Sequence, residues 1–336
     1  MLEPPTIAPE AIAACVHTAY AIDLKHIAFL PLGADSNTAV YKALAADSTP
    51  YFVKLRRGEF DSVAVTVPKL LSDAGITAII PPVGTVDDTL WAHVEQFALV
   101  IYPFVNGQNA YRVSLSPQQW HAFGQAIQRL HSTSLPPAIV QRIPHETYPA
   151  DARIRLAQII AQLDTTPPPD EVAERLLAFL QEHRAEIRDM LARTEHLAHT
   201  LRSRQPALVT CHGDLHAGNI FLGDDGQLHT VDWDTLIRAP KERDLMFIGG
   251  AQGFIGTTPQ NETRLFYSGY GATAIDLTAL AYYRYERIIQ DMAIYCDELL
   301  LSSAGGADRA PSLHYLMANF LPGGTIERAN AAWEAL

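Results

Sequence analysis

The chain has 336 residues, of which 48% are hydrophobic and 18% are charged, as is typical of a globular protein with a substantial core. Its 37 acidic residues outnumber 25 basic ones, and the net charge of −12 disfavours binding to a nucleic-acid backbone. The apolar run 97–105 is too short to span a bilayer, and the N-terminus lacks a basic, hydrophobic leader. Three widely spaced cysteines form no disulfide framework. We therefore expect a cytoplasmic monomer without nucleic-acid or membrane partners.

The first third of the chain predicts a small antiparallel sheet. An opening helix at 9–22 precedes three strand-like segments, "HIAFLPL", "TAVYKAL" and "YFVKLRR", which are separated by polar or glycine-containing turns. A helical stretch follows at 61–74, in which Pro68 should start a turn or a kink. Two further strands, "TLWAHVEQ" and "FALVIYPF", bring the sheet to five strands. We expect this N-terminal lobe to cover residues 1–103.

From residue 107 onward the pattern is mainly helical. A long helix begins with Ser116 as its cap and Pro117 at its first position. Polar amphipathic helices occupy 150–204 and are interrupted at "TTPPPD", and the last third of the chain contains another long helix. Two short strands, "NIFL" and "LHTVDW", flank the turn "GDDGQ". The fold class is therefore α+β, with a large helical lobe at 104–336 beside the small β lobe.

The segment "CHGDLHAGNIFL" concentrates side chains that carry chemistry. The alternation of His212, Asp214 and His216 could bind zinc, but no H-E-x-x-H motif or further histidine cluster completes a four-ligand site. A nucleophile pair of Cys211 and His212 is less favourable, because neighbours on a strand point to opposite faces. Local capping of turns explains one or two of these residues but not the whole set.

Phosphoryl transfer accounts for the whole set. This reaction needs a carboxylate beside the attacking hydroxyl and oxygen ligands that hold Mg²⁺ against the phosphates. Kinase catalytic loops place an Asp and an Asn five residues apart, with a metal-binding Asp after a short hairpin. Asp214 and Asn219 have this spacing, and Asp232 follows 18 residues after Asp214. These residues are therefore the candidate catalytic base and the candidate metal ligands.

Upstream segments supply candidates for nucleotide binding. Lys54 lies within the third predicted strand. Two interpretations are open: the side chain contacts the α- and β-phosphates of a nucleotide, or it is a solvated lysine on the surface of the strand. A small polar loop offers successive backbone N–H groups to phosphate oxygens. Its residues are Gly33, Ala34, Asp35, Ser36 and Asn37. At the lobe junction, the backbone groups that could pair with an adenine edge belong to Pro103, Phe104 and Val105.

The motif "HGDLHAGN…VDWD", together with "FGQAIQRLHSTSLP" and "APKERDLMFIGG", resembles the aminoglycoside phosphotransferase family along nearly the whole chain. The resemblance implies a bilobal protein-kinase-like fold and transfer of the γ-phosphate of ATP, with Mg²⁺, to a hydroxyl of a small molecule. Asp214 matches the family's catalytic aspartate, Asn219 and Asp232 its magnesium ligands, and Lys54 its phosphate lysine. The 103–105 stretch matches the adenine hinge. His212 is similar to a residue that braces the catalytic loop, and Asp244 to an aspartate that ties down the following segment.

One position departs from the family pattern. The family pairs its phosphate lysine with a glutamate on the helix of the small lobe, but "SVAVTVPKLL" contains no acid. Either Asp61 reaches Lys54 from a shifted helix or the pair is absent. Two other features separate the chain from protein kinases: a helical insert at about 145–205, and only nine residues between Asp234 and Asp244, too few for an activation loop. A small substrate is therefore expected.

The acceptor implied by the resemblance is a cationic antibiotic. "PKERDLMFIGG" and "YYRYERIIQD" are similar to the spectinomycin-phosphorylating members of the family, so an aminocyclitol such as spectinomycin is the first choice. Acidic and aromatic side chains suit its protonated amines. The candidates, each of which could equally be a surface or core residue of a helix, are Asp234, Tyr283, Glu286 and Asp291.

Three alternatives remain open at the level of sequence. The same scaffold could serve a metabolite kinase that acts on choline, homoserine or a thio-sugar. A nucleotide-binding pseudoenzyme is disfavoured by the complete set of candidate catalytic residues, and a metal-dependent hydrolase is the remaining possibility.

Overall fold

The computed structural model describes residues 4–32, 37–301 and 309–336. The N-terminal part contains a five-stranded antiparallel sheet in the order β1-β2-β3-β5-β4, covered by helix α1. Helix α2 follows β3. The bounds of these elements are α1 Pro9–Tyr20, β1 Leu24–Leu30, β2 Thr38–Ala45, β3 Pro50–Arg57, α2 Val63–Asp73, β4 Ala92–Val94 and β5 Phe97–Pro103. The predicted five-stranded sheet is confirmed, although β4 is only three residues long.

The remainder of the chain is mainly helical and carries two small sheets. A three-stranded sheet has the order β6-β8-β9, and β10 pairs with β7. The strands are β6 Gly107–Asn109, β7 Val209–Cys211, β8 Ile220–Gly223, β9 Leu228–Thr230 and β10 Ile237–Ala239. The helices are α3 Pro117–Ser132, α4 Pro137–Val140, α5 Asp151–Gln162, α6 Glu171–Glu182, α7 Arg184–Arg204, α8 Glu242–Leu245, α9 Pro259–Tyr270, α10 Leu277–Leu301, α11 Arg309–Ala318 and α12 Thr325–Glu334.

Local signals explain where several elements begin and end. The Ser116 side chain accepts a hydrogen bond from Gln119 N, and the Gln119 side chain accepts one from Ser116 N, so α3 starts with a complete capping box. Gly226, at φ +81°, lets the predicted hairpin between β8 and β9 turn within five residues. Pro68, which was predicted to start a turn or a kink, lies inside α2, and this helix therefore loses one backbone hydrogen bond.

The two parts of the chain have separate hydrophobic cores. One core lies between α1 and the five-stranded sheet, and the other lies among the helices of the C-terminal part. Helix α2 contributes Val63, Val67 and Leu71 to the second core, although it follows the third strand of the sheet in sequence. Helix α2 therefore packs on the helical part of the chain and connects it to the five-stranded sheet. We propose the end of β5 as the lobe boundary.

Helices α3 and α9 pack with almost no space between their backbones. A Cβ atom added to Gly124 would overlap the carbonyl oxygen of Phe266, and one added to Gly269 would overlap that of His121. This close approach places His131, in the last turn of α3, under the segment that carries the candidate site. Among the described residues, no helix combines the length and the apolar character needed to cross a lipid bilayer.

Gly124→Ala should destabilise the protein because the added methyl group has no space between α3 and α9. We expect a loss of about 1–3 kcal/mol in the free energy of unfolding, measured by urea denaturation. Gly84→Ala is the matched control, since its Cβ would meet only the Thr89 carbonyl oxygen, at 3.9 Å. Equal stabilities of the two variants would contradict the packing described here.

Candidate active site

The segment that follows β7 is held by one buried carboxylate. Asp244 of α8 accepts hydrogen bonds from His212 N at 3.0 Å and from Gly213 N at 2.7 Å. His131 Nε2 lies 3.0 Å from the same carboxylate. Burial opposes the charge on Asp244, but His131 and the backbone donors outweigh it and lower the pKa of the carboxyl. Gly213 adopts φ +88° and any Cβ there would overlap the Thr235 carbonyl oxygen, so this turn requires glycine.

His212 joins this segment to the end of β9. Its Nδ1 accepts from Asp214 N at 3.3 Å, so the ring proton lies on Nε2, which donates to Val231 O at 3.0 Å. Burial lowers the pKa of His212, which keeps the ring neutral in this tautomer. The imidazole therefore braces the loop, as the resemblance implied, and is not available as a metal ligand or a catalytic base.

Asp214 is surrounded by hydrogen-bond donors. Its Oδ1 lies 2.6 Å from Arg287 Nη1, while Oδ2 lies 3.5 Å from both His216 Nε2 and Asn219 Nδ2. Burial favours the neutral carboxyl, but His216 and Arg287 prevail and hold the pKa of Asp214 well below its usual range. The side chain is therefore an oriented anion, with 17% of its surface exposed.

His216 is oriented by its neighbours. Its Nδ1 accepts from Gly218 N at 3.0 Å, so the proton of the neutral ring lies on Nε2 and faces Asp214. Tyr111 stacks on this imidazole with its hydroxyl 3.0 Å from Nδ1. Space for the Tyr111 ring exists because Gly218 and Gly253 lack side chains: a Cβ on either would meet the ring. Tyr111 is 47% exposed and presents an aromatic wall beside Asp214.

Asn219 and Asp232 lie at the two ends of the hairpin formed by β8 and β9. Asn219 Nδ2 donates to Asp214 O at 2.8 Å, which directs the amide oxygen away from the loop backbone. Val231 N donates to Asn219 O at 3.0 Å and brings the next residue, Asp232, alongside. Asp232 adopts the left-handed conformation, φ 64°, and its side chain is 56% exposed. An amide oxygen and a carboxylate are the donors that Mg²⁺ prefers, so this pair fits such an ion.

Lys54 reaches across from the β sheet to the carboxylates that follow β9. Its Nζ lies 3.2 Å from Asp232 Oδ1 and 2.8 Å from Asp234 Oδ2, and Arg56 Nη1 lies 2.6 Å from the same Asp234 oxygen. Burial opposes the charge on Lys54, but the two carboxylates outweigh it and raise the pKa of the ammonium group. Lys54 is therefore a protonated, partnered lysine and not a solvated one.

Asp61 does not reach Lys54, which leaves the second of the two expected alternatives: the described residues of the small-lobe helix provide no acidic partner for Lys54. The Asp61 carboxylate accepts from Val63 N at 3.0 Å, at the start of α2, and lies 3.4 Å from Arg142 Nη2. Among the described residues of α2 the only acid is Asp73, which pairs with Lys69. The acidic partners of Lys54 come instead from the segment after β9.

The candidates for acceptor binding fall into two groups. Tyr283 and Glu286 are 0% and 2% exposed and face the core of the helical lobe, where Glu286 pairs with Arg153. Burial raises the pKa of Glu286 despite this partner. Tyr283 packs against Tyr148, and the burial of Tyr283 and Glu286 disfavours their contact with an acceptor.

The other two candidates lie at the cleft. Asp291, one turn beyond Arg287 on α10, accepts from Arg287 Nε at 3.1 Å. Asp234 is partnered by the cations of β3, as described above. Arg287 was missed as a site residue, although it stands in the segment that suggested the other candidates. An i, i+4 Arg–Asp pair was the available signal.

The candidates for adenine and phosphate-loop contacts are described only in part. Gly33, Ala34, Asp35 and Ser36 lie outside the described residues. Asn37 precedes β2, and its carbonyl oxygen accepts from Arg57 N at 2.8 Å. Pro103 ends β5, Phe104 N donates to Pro50 O at 3.3 Å, and the Lys42 ammonium lies 4.1 Å from the Phe104 ring centroid. Nucleotide contacts by Pro103, Phe104 and Val105 stay a prediction.

A zinc site built on the H-x-D-x-H pattern is not supported, because backbone groups occupy ring nitrogens of both His212 and His216. In the described part of the chain, the His, Cys, Asp or Glu side chains close enough to share an ion are His131, Cys211 and Asp244. The Asp244 oxygens and both His131 nitrogens already have hydrogen-bond partners. These contacts explain the cluster as structural support.

A two-lobed fold with a lysine facing two carboxylates, beside an oriented aspartate and asparagine, defines the class of small-molecule kinases with a protein-kinase-like fold. The family model described as "Phosphotransferase enzyme family" matches residues 29–283, and the chain belongs to this family. It is accordingly an ATP-dependent small-molecule kinase, and the family uses ATP with a divalent metal.

Solved structures agree with this assignment. A spectinomycin phosphotransferase in complex with ADP and spectinomycin is 33% identical, with 98% of this chain and 99% of that chain covered and a TM-score of 0.90. The AMP-bound complex of spectinomycin phosphotransferase is 32% identical, with 97% and 99% covered and a TM-score of 0.85. An ethanolamine kinase from Plasmodium vivax, 14% identical over 96% and 86% of the two chains, shares the fold, with a TM-score of 0.56. No curated protein sequence matches the chain significantly.

Asp244→Asn should destabilise the protein by about 3 kcal/mol, because a buried amide cannot accept all the hydrogen bonds that the carboxylate accepts. Urea denaturation measures this loss. The control is Asp73→Asn, which removes an exposed pair with Lys69 and should cost less than about 0.5 kcal/mol. If both variants lost the same small amount, Asp244 would not be the anchor of the loop.

Proposed function

We propose that this protein is an ATP- and Mg²⁺-dependent O-phosphotransferase whose acceptor is spectinomycin or a related cationic aminocyclitol. One observation carries the proposal: the side chains expected for phosphoryl transfer lie together at the junction of the lobes. These side chains are Lys54, Asp214, Asn219 and Asp232.

Asp214 is the proposed catalytic residue. Its carboxylate is ionised and fixed by donors on both oxygens, and the remaining lone pairs can accept the hydrogen bond of an acceptor hydroxyl. This contact orients the hydroxyl oxygen for attack and receives its proton as the bond to phosphorus forms. The γ-phosphoryl group then passes directly from ATP to the hydroxyl oxygen, with ADP as the leaving group and no phosphorylated enzyme.

Lys54 is the proposed partner of the ATP phosphates. Its ammonium group is held near the cleft by Asp232 and Asp234, which keeps it charged and limits its rotation before the nucleotide binds. Asn219 and Asp232 are the proposed ligands of Mg²⁺, and this ion supplies neutralisation of phosphate charge when bound. We further propose that Pro103, Phe104 and Val105 border the adenine.

The choice of acceptor rests on two kinds of support. The chain is 33% identical, over 98% of its length, to a spectinomycin phosphotransferase whose structure contains spectinomycin. The cleft beside Asp214 presents a further carboxylate, Asp291, and the exposed ring of Tyr111, which suit a small ammonium-bearing ligand. The net charge of −12 adds long-range attraction for such a cation.

Asp214→Asn should lower kcat by about 10²–10⁴-fold, because an amide cannot take the hydroxyl proton. ATP affinity, measured by calorimetry with Mg²⁺, should not change, since Asp214 is not proposed to touch the nucleotide. Asp225→Asn, in the exposed turn between β8 and β9, is the control and should retain full activity. Near-normal transfer by Asp214→Asn would mean that another group acts as the base.

Spectinomycin should be phosphorylated at the expense of ATP, with ADP release in a coupled assay and phosphate attached to a spectinomycin hydroxyl by mass spectrometry. Aminoglycosides, choline and homoserine serve as comparison acceptors in the same assay. A higher kcat/KM for choline or homoserine would overturn the proposed acceptor but leave the kinase assignment intact.

A further inference from the structure

The guanidinium group of Arg287 bridges two carboxylates at the cleft. Its Nη1 lies 2.6 Å from Asp214 Oδ1, and its Nε lies 3.1 Å from Asp291 Oδ2. The side chain is 22% exposed, and Asp291 and Asp214 raise its pKa against the effect of burial. Arg287 therefore remains charged, and its planar fork is fixed from both ends.

Arg287 provides the only short contact among those that the described residues make with the Asp214 carboxylate. The other two donors, His216 Nε2 and Asn219 Nδ2, both lie 3.5 Å from Oδ2, at the limit of a hydrogen bond. Neither can hold the side chain in one rotamer against a competing partner. Without Arg287, rotation about the Cα–Cβ bond of Asp214 would be restrained only by these weak contacts.

We propose that Arg287 is a positioning residue for phosphoryl transfer: it holds Oδ1 of Asp214 so that Oδ2 is directed at the acceptor hydroxyl. Asp291 in turn holds Arg287. This proposal rests on the proposed function, because it assigns Arg287 a role in the same transfer step. Arg287 acts through Asp214 and is not itself required to touch the acceptor.

The bridge also sets the local charge that an acceptor meets. Two carboxyl groups, Asp214 and Asp291, face the single guanidinium group of Arg287, although burial raises the pKa of Asp291 against the effect of Arg287. His216 faces Asp214 from the loop, and Tyr111 lies beside them both. The second carboxyl group leaves room for an ammonium group of an acceptor beside the Arg287–Asp214 contact.

Three variants and one control test this role. Arg287→Met removes the charge and keeps the length of the side chain, Arg287→Lys keeps the charge, and Asp291→Asn weakens the support of Arg287. Arg155→Met is the control. Arg155 of α5 forms an arginine–aspartate pair with Asp297, which lies on α10 like Arg287 but does not contact Asp214.

Arg287→Met should lower kcat about 10²-fold, the effect expected of a misplaced catalytic group, while the KM for ATP stays unchanged. Arg287→Lys should recover at least about tenfold of this loss, and Asp291→Asn should lower kcat less than Arg287→Met does. Arg155→Met should have the kcat of the wild type. An Arg287→Met variant with normal kcat, or an Arg287→Lys variant no better than it, would overturn the proposal.

Crystal structures of the wild type and of Arg287→Met, each with Mg·ADP, give a readout that needs no acceptor. The Asp214 carboxylate should leave its wild-type rotamer in the variant. If the wild type phosphorylated no acceptor, the proposed function would fail, but the rotamer would still decide the role of Arg287. An Asp214 side chain that does not move in Arg287→Met would overturn that role even if spectinomycin were phosphorylated.

Discussion

The geometry of the site depends on one buried carboxylate. Asp244 is 1% exposed and accepts the backbone N–H groups of His212 and Gly213, which precede the candidate base. A buried carboxylate is costly unless it is fully hydrogen-bonded, and these backbone groups together with His131 meet that requirement. Because α3 supplies His131 and α8 supplies Asp244, the packing of the helical lobe determines where the loop lies.

Much of the fold could be predicted because its signals are local. The five strands alternate or cluster apolar residues between polar turns, and α3 begins with a capping box visible in the sequence. The hairpin between β8 and β9 follows from its glycine-containing turn. Strands β6, β7 and β10 are three residues each, too short to show any period, and their pairing depends on contacts distant in sequence. The position of α2 against the helical part of the chain likewise follows from tertiary packing.

The candidate site, like the fold, could be predicted where its signals are local and not where they depend on tertiary contacts. The spacing of Asp214 and Asn219 is a local property of one loop, so its geometry could be anticipated from sequence. The partner of Lys54 could not be predicted, because Asp234 lies 180 residues away in the sequence. It takes the place of the acid that the family carries on the helix of the small lobe. On α10, Tyr283 and Arg287 lie one turn apart on the same face, yet Tyr283 is buried and Arg287 reaches Asp214, since sequence does not show where along a long, largely buried helix the cleft begins.

We propose that the γ-phosphoryl group passes directly from ATP to an acceptor hydroxyl held by Asp214. The most direct test is the stereochemical course of transfer from ATP with a chiral, isotopically labelled γ-phosphoryl group to spectinomycin. A single in-line displacement inverts the configuration at phosphorus, and this account predicts inversion. Retention of configuration would require two displacements and a phosphorylated enzyme, and it would contradict the role of Asp214 described here.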